Sequence, residues 1–195
     1  MITVRCNGNR YNDFVSSPVE VSVGSSEIIE PVSVAEFKNY ARLSGYEPDD
    51  APELSFTSDD ALIQQLITGA RQSLEIWTGL SLVKHTWKVK VDIASSIELP
   101  YSNGGSIIES VDADGNDIDL VTENYGFLAV TGPQTRGNVI TYSVDPECPA
   151  ALKTAIMVEA LFRYNNRGDM AAEGALSQKA LSLSVMYKRA STWLA

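Results

Sequence analysis

Residues 59–79 read DDALIQQLITGARQSLEIWTG and carry the clearest helix signal in this chain of 195 residues. Their apolar side chains recur at steps of three and four residues, which places them on one face of a helix. Two aspartates stand at the start, where carboxylates complement the helix dipole, and Gly79 suits a C-terminal stop. We therefore predict a long core helix here, whose apolar face consists of Leu62, Ile63, Leu66, Ile67, Ala70, Leu74 and Trp77.

Three further segments carry helix signals. Ser33 and Glu36 have the spacing of a capping box, which predicts a helix that begins after Ser33 and closes at Gly45. Pro149 suits the first turn of a third helix, which ends near residues 165–168. A last helix is predicted from about residue 175 to the C-terminus. Its single narrow apolar stripe would contain Leu176, Ala180, Leu183, Tyr187, Ala190 and Leu194.

Between residues 86 and 144 the hydrophobic period changes from the helical value to two, as in Trp87, Val89 and Val91. Turn residues such as Asn103-Gly104-Gly105 and Asp114-Gly115 separate the short runs. This pattern predicts a small antiparallel sheet or barrel-like subdomain. Its further strands are expected at 97–99, 107–112, 117–121, 127–130 and 139–144.

The fold class predicted from these elements is α+β. It is mainly a bundle of four α-helices, with an inserted small antiparallel β-subdomain and an extended N-terminal arm. Val19, Val21 and Val23 alternate with polar residues, which predicts one strand within that arm. The expected division is an arm over 1–32, a helical core over 33–85, the β-subdomain over 86–146 and the resumed helical core over 147–195.

Composition excludes several classes of function. Fifteen basic residues against twenty-five acidic ones give a net charge of −10, which disfavours a broad grip on nucleic acid. Two cysteines and one histidine lack the spacing of a zinc site, and no motif supplies a catalytic nucleophile with its base. No apolar run reaches the ~20 residues of a membrane span, and the N-terminus lacks a secretory signal. We expect a cytoplasmic chain with no catalytic residue, metal or cofactor, and hence no enzyme.

One acidic stretch admits a calcium site as an alternative. Asp112, Asp114, Asn116 and Glu123 occupy the first, third, fifth and twelfth positions of an EF-hand loop. The sixth position, which needs glycine for its sharp turn, is Asp117. Because Asp114-Gly115 between alternating runs is a strong hairpin signal, we favour a solvated hairpin over a calcium-dependent binding module.

Charge is unevenly distributed along the chain. Residues 44–60 and 105–123 each contain six acids and no base, whereas the segment from Gly174 onward contains three bases and no acid. One interpretation is two solvated loops and a helix end that complements its own dipole. The other is a basic terminal helix that docks into a partner, with acidic surfaces elsewhere kept free of DNA.

A series of short segments resembles the tailed-phage head–tail connector (adaptor) proteins. In chain order they are residues 31–43 (PVSVAEFKNYARL), 59–79, Thr86-Trp87, 149–158 (PAALKTAIMV), 164–167 (YNNR) and 186–189 (MYKR). Tyr40 stands where the family usually has histidine, and Lys188 separates Tyr187 from Arg189. The arm over 1–32 has no counterpart in the family.

The resemblance implies a structural virion protein. It would form a homo-oligomeric ring, expected to contain twelve copies, under the portal protein, and would join the DNA-filled capsid to the tail. DNA would pass through the ring without specific binding, and tail, stopper or neck proteins would bind below it. The resemblance also implies that the protein assembles in the host cytoplasm, ends in the virion neck and binds no membrane. Another tail-completion or neck component is the alternative.

Two sets of site residues follow from this hypothesis. The C-terminal helix would dock on the portal through Leu176, Leu183, Tyr187, Lys188, Arg189 and Trp193. The acidic lumen or lower face of the ring would contain Glu47, Asp49, Asp50, Glu109, Asp112, Asp114, Asp117 and Asp119.

Overall fold

A computed structural model describes most of the chain, and it divides into two compact units. The described residues are 28–43, 59–92, 96–124, 126–132, 137–167 and 176–189, with the backbone of 14–15 and 19–20. The helical unit lies within 30–78 and 148–188, and the β unit within 1–29, 79–147 and 189–195. Four helices and two antiparallel sheets confirm the predicted α+β class. Among the described helices, none is long and apolar enough to cross a bilayer.

The first helix of the helical unit, α1 (Val34–Ala41), begins at the predicted capping box. The Ser33 hydroxyl accepts the Glu36 N–H at 3.2 Å, and the Glu36 carboxylate accepts the Ser33 N–H at 2.8 Å. The prediction that this helix runs to Gly45 is wrong. Arg42 adopts a left-handed conformation with φ of 54°, and the Leu43 N–H donates back to the Lys38 carbonyl at 2.9 Å, which ends the helix at Ala41.

The core of the helical unit lies between α2 (Asp60–Thr78) and α3 (Ala150–Asn165). The long core helix is confirmed, and Gly79 follows it with a positive φ of 73°, as a C-terminal stop requires. The fully buried apolar side chains of this unit include Phe37, Ile63, Ile67, Leu74, Leu152 and Ile156.

The last helix is much shorter than predicted. Helix α4 covers only Gln178–Ser184, and a 3₁₀ turn over Val185–Tyr187 follows it. Lys188 then leaves the helical region with ψ of 119°. Ser184 donates its hydroxyl to the Ala180 carbonyl at 2.8 Å, a contact that competes with regular helix geometry. The predicted helix from about 175 to the C-terminus is therefore wrong, and residues 190–195 lie outside the described residues.

The first sheet of the β unit is built on β3 (His85–Asp92). One neighbour is β8 (Asn138–Val144), which in turn pairs with β5 (Ser106–Val111). On the other side, β1 (Phe14–Val15) and β2 (Val19–Glu20) both pair antiparallel with β3. The strand predicted in the arm is thus confirmed at Val19, while Val21 and Val23 lie outside the described residues.

The second sheet contains β4 (Ile97–Glu98), β7 (Leu128–Thr131) and β6 (Val121–Asn124), in that order. Both sheets contribute to one apolar core, and the Tyr142 hydroxyl, buried in it, donates to the Pro100 carbonyl. Burial of the phenol raises the pKa of Tyr142. The core residues are Val89, Val91, Ile97, Leu99, Leu128, Val130, Ile140, Tyr142 and Val144.

One predicted strand lies in the wrong place. Residues 117–121 were expected to be extended, but Asp117 makes only an isolated bridge to Val111, and the strand β6 begins at Val121. The reason is a turn in which the Asp112 carboxylate holds the backbone amides of Asp114 and Asn116. After the turn, Asp117 and Ile118 stay beside the end of β5, where the Ile118 N–H donates to the Ser110 carbonyl at 3.0 Å, so β6 begins only at Val121.

Candidate functional site

The predicted docking residues of the C-terminal segment divide into three environments. Leu176 and Leu183 are half-buried beside α4, whose Ala180 and Ser184 are buried. The N–H of Ser177 donates to the Glu159 carboxylate of α3 at 2.8 Å, which fixes the start of α4. Within the described part of the predicted stripe, Ala180 is buried and Leu176, Leu183 and Tyr187 are half-buried, so the stripe packs in part within the helical unit. Trp193 lies outside the described residues.

The residues that follow α4 are the exposed ones. We call residues 185–188 the C-terminal turn. Val185 is 54% exposed and Met186 is 88% exposed, whereas Tyr187 is half-buried. The Lys188 ammonium lies 3.7 Å from the centroid of the Trp77 ring on α2, a cation–π contact that holds the turn against the helical unit.

Sequence reasoning missed Val185 and Met186. In a continuous helix both would lie outside the apolar stripe, so periodicity does not single them out. The sequence does show two adjacent apolar residues outside the stripe. They indicate an exposed apolar surface only when the helix is known to end at Ser184. A nearly fully exposed methionine suits an adaptable contact with another protein.

Arg189 has a different role from the exposed turn before it. Its side chain is 4% exposed and forms an ion pair with Glu98. One guanidinium nitrogen donates to the Leu99 carbonyl at 3.1 Å, and the guanidinium carbon lies 3.7 Å from the centroid of the Phe127 ring. The structure therefore places the guanidinium inside the β unit, where these groups bind it.

Five predicted lumen residues lie together on β5 and the turn after it. We call residues 109–119 the acidic hairpin. Glu109, Asp114, Asp117 and Asp119 are exposed, and Asp112 is half-buried. The side-chain and backbone donors of Asn116, assisted by other turn amides, lower the pKa of Asp112. Glu47, Asp49 and Asp50 lie outside the described residues.

The acidic hairpin has the geometry of a turn. Asp112 accepts the N–H groups of Asp114 and Asn116 at 2.9 Å each, and Gly115 has a φ of 85°. The hairpin predicted at Asp114-Gly115 is confirmed by the Val111–Asp117 bridge that closes it. Strands rather than helices flank it, and Glu123 is in β6. Within the described part of the chain, no group of three or more His, Cys, Asp or Glu could hold a metal ion.

Residues of two segments that carry the family resemblance meet in the helical unit. The Tyr164 hydroxyl at the end of α3 donates to the Asp59 carboxylate, just before α2, at 2.8 Å. Arg167 stacks on the Tyr164 ring at 4.2 Å and lies 4.0 Å from the same carboxylate. The hydrogen bond to Asp59 raises the pKa of Tyr164. These contacts join the end of α3 to the start of α2.

Comparisons with known proteins gave structural matches alone. No family model matches the sequence, and no curated protein matches it.

Three of the structural matches are chains of gene transfer agent particles. A chain from the neck of an empty particle, computed with C6 symmetry, has a TM-score of 0.68 at 17% identity, covering 90% of this chain and 97% of that one. A chain from the virion of the native particle has a TM-score of 0.63 at 18% identity, and the match again covers 90% of this chain and 97% of that one. A chain from the neck of the native particle, computed with C12 symmetry, has a TM-score of 0.56 at 15% identity. This match covers 85% of this chain and 97% of that one. This chain therefore has the fold of chains from the neck and virion of gene transfer agent particles.

Proposed function

We propose that this chain is a structural component of a virion neck, and specifically a head–tail connector of the adaptor type. The observation that carries the proposal is the fold match over 90% of this chain and 97% of a gene transfer agent neck chain. Such near-complete coverage in both directions means that the whole architecture is shared, including the inserted β unit. The chain performs no catalysis in this role and needs no cofactor.

The proposed assembly is a ring of twelve copies. Chains of the same fold stand in necks computed with sixfold and twelvefold symmetry, which supports a cyclic arrangement. The ring would lie under the portal protein, join the filled capsid to the tail, and bind a tail, stopper or neck protein below. It would be assembled in the host cytoplasm and remain in the virion neck.

The C-terminal turn is the proposed contact with the portal. Val185 and Met186 offer apolar surface at its exposed side, and Lys188 adds positive charge. Leu176, Leu183 and Tyr187, all half-buried, would support the contact from α4 and the turn. In place of a direct contact, we assign Arg189 the task of fixing the chain just after the turn, because its guanidinium is bound inside the β unit.

The acidic hairpin is the proposed part of the DNA channel. Its exposed carboxylates on Glu109, Asp114, Asp117 and Asp119 would repel the phosphates of passing DNA. A chain with a net charge of −10 offers DNA few counterion-releasing contacts, so DNA could slide without binding.

The docking proposal is tested by Met186→Glu. A charge on an 88% exposed side chain should leave the fold intact but disrupt an apolar contact. We expect capture of the chain by the portal protein of the same particle to fall about tenfold or more, since central interface residues dominate binding. Ile29→Glu, at a residue 84% exposed in the β unit, is the matched control and should bind normally. Unchanged portal binding by Met186→Glu would refute the docking proposal.

A truncation after Gly174 is a poorer test. It would remove the buried side chains of Ala180, Ser184 and Arg189, so loss of folding could explain loss of binding. Another tail-completion or neck component remains the alternative role, and cross-links to the tail tube but never to the portal would favour it.

A further inference from the structure

The strand β6 forms an open edge of the second sheet. Residues Val121–Asn124 pair with β7 in a regular register on one side. On the other side β6 ends the order β4-β7-β6, and no described strand covers it. Because alternate residues of an antiparallel strand direct their backbone groups to the same side, about two of the four present N–H and C=O groups on this edge. Such an edge is a template for an added strand.

Both faces of β6 are exposed as well. Thr122 lies opposite Val130, and Asn124 lies opposite Leu128. The two β7 side chains are buried in the core, whereas all four side chains of β6 are exposed, including Val121 at 66%. The apolar core of the β unit therefore ends at β7. An added strand would reach the β6 edge without displacing any core side chain.

The other edges of the described sheets are protected against strand addition. The outer edge of β5 is interrupted by a bulge between Ile107 and Glu109, a device that blocks edge pairing. The described parts of β1, β2 and β4 contain two residues each, and a very short edge strand offers a partner little to pair with. Strand β6 contains no proline, lysine or bulge. Among the described strands, it is therefore the edge best suited to a partner.

The stretch of chain around β6 is acidic. Residues 91–135, which include β4 to β7, contain eight acids and no base. Three of these acids stand in or just before β6, and the side chains of Asp117, Asp119 and Glu123 are all exposed. Opposite charges on neighbouring strands attract and like charges repel, so this edge favours a strand that carries lysine or arginine. Charge complementarity therefore selects a basic segment as the occupant.

The described strands of a second copy do not fit this edge. Strands β3 and β8 are interior, because each has a paired neighbour on both sides. The remaining described strands longer than two residues belong to the acidic stretch 91–135, and two acidic edges would repel each other. A different protein is therefore the better occupant, and a second copy is the alternative that the test distinguishes.

We propose that the β6 edge binds an extended, basic segment of the neck or tail protein that lies below the ring. The segment would add to the second sheet as a further strand, with its lysine or arginine side chains near Asp119 and Glu123. Main-chain hydrogen bonds would supply affinity, and the acids would select the charge of the partner. This inference rests on the proposed function and names the chemistry of the ring's lower partner.

Hydrogen exchange measured by mass spectrometry on assembled particles tests this contact directly. Heads that contain the portal protein and this chain, but no protein below the ring, are compared with complete particles. We expect the fragment that contains β6 to take up about two fewer deuterons in complete particles, because the amides on its outer edge become hydrogen-bonded. The fragment that contains β5 is the internal reference and should take up the same amount in both preparations.

The other outcomes of this comparison contradict the inference. Equal and rapid exchange of β6 in both preparations would overturn it, since no strand then covers the edge. Slow exchange in the incomplete heads would overturn it too, because a second copy or the portal protein would then be the occupant, and the ring would still stand. Heads that retain no copy of this chain would refute the proposed function, and the inference would fall with it.

The preference for a basic partner is tested on the purified full chain with two short synthetic peptides. One alternates valine with lysine, and the other has glutamate in place of lysine. We expect only the lysine peptide to slow amide exchange in β6. Glu123→Lys should weaken that binding about fivefold, because it turns an attraction between exposed charges into a repulsion. Glu147→Lys, the same change at another exposed acid of the β unit, is the matched control and should bind as the wild-type chain does.

Two results of the peptide experiment would contradict the inference. Equal binding of the two peptides, or by the two variants, would show that charge does not select the partner and would remove the reason for a basic occupant. Protection of β6 by neither peptide would show that this edge does not accept a strand.

Discussion

Arg189 joins the end of the described chain to the β unit through three kinds of contact. Its guanidinium forms an ion pair with Glu98, donates to the Leu99 carbonyl and stacks on Phe127. Few other side chains can make all three at once, because the planar guanidinium has several donors and a weakly hydrated face. Arg189 therefore fixes the end of the described chain on the β unit.

Replacing Arg189 with alanine should lower the free energy of unfolding by about 1–3 kcal/mol, because the Leu99 carbonyl loses its charged donor. Glu98 is 56% exposed and can be rehydrated, so we expect less than the full cost of breaking a buried pair. Urea denaturation of the purified chain measures the change. Lys84→Ala breaks an exposed pair with Asp145 and should cost less than about 1 kcal/mol. Equal losses of unfolding free energy for Arg189→Ala and Lys84→Ala would contradict the claim that Arg189 anchors the chain to the β unit.

The buried thiol of Cys148 makes the stability depend on alkaline pH. Burial raises its pKa from 9.0 to about 11. Below pH 9 the thiol is protonated in both states. As the pH rises from 9 to about 11, the unfolded chain loses the proton while the folded chain keeps it, so unfolding becomes easier.

We expect Cys148→Ala to reduce the loss of stability between pH 9 and about 11 by about 2 kcal/mol at most, from the size of the pKa shift. Denaturant unfolding at several pH values measures both chains. The same decline in the wild-type chain and the variant would show that Cys148 does not contribute to it.

At the scale of elements, local signals with short-range partners were predictable. The capping box at Ser33 and the stop at Gly79 involve residues three or fewer positions apart, and both formed as expected. The bounds of α4 were not predictable: its start is fixed by Ser177 binding Glu159, and the chain after it is held by Arg189 binding Glu98, partners far away in sequence. The Asp112 turn likewise displaced β6 through contacts that hydrophobic periodicity does not report.

The capping box provides a prediction at this scale. Ser33→Ala should lower the free energy of unfolding by about 1 kcal/mol, because the Glu36 amide loses its acceptor. Thermal or urea unfolding of the full chain measures the effect. Ser182→Ala removes a hydroxyl that bonds only to Lys179 in its own helix, and should leave stability unchanged within about 0.5 kcal/mol. A neutral Ser33→Ala would contradict the proposed importance of the cap.

The turn between β4 and β5 needs glycine for space at Gly105. A methyl group there would come within 2.9 Å of the Ser143 carbonyl oxygen and of a Val144 methyl, whereas at Gly104 it would meet nothing within 4 Å. We expect Gly105→Ala to cost about 1–3 kcal/mol, as overpacking does. Gly104→Ala, strained only by its φ of +66°, should cost about 1 kcal/mol. Urea denaturation of both variants measures the loss of unfolding free energy. A larger loss for Gly104→Ala than for Gly105→Ala would contradict the claim that space is limiting at Gly105.

At the scale of the whole molecule, the fold class and the inserted β unit were predictable, but the exposure of individual side chains in the C-terminal segment was not. Periodicity predicted Leu176 and Leu183 on one helix face, but Leu176 precedes α4, and both side chains are half-buried. The exposure of Met186 becomes apparent only in the structure, where nearby residues such as Ser184 are buried. The acidic hairpin was found in advance because charge runs are visible without any knowledge of packing.

The central claim is that this chain works by its shape, as one subunit of a connecting ring in a virion neck. The most direct measurement is electron microscopy of particles produced with and without the chain. We predict that particles lacking it consist of filled or emptied heads and separate tails, and that supplying the chain in trans restores joined particles. Tails joined normally to filled heads in its absence would contradict the claim.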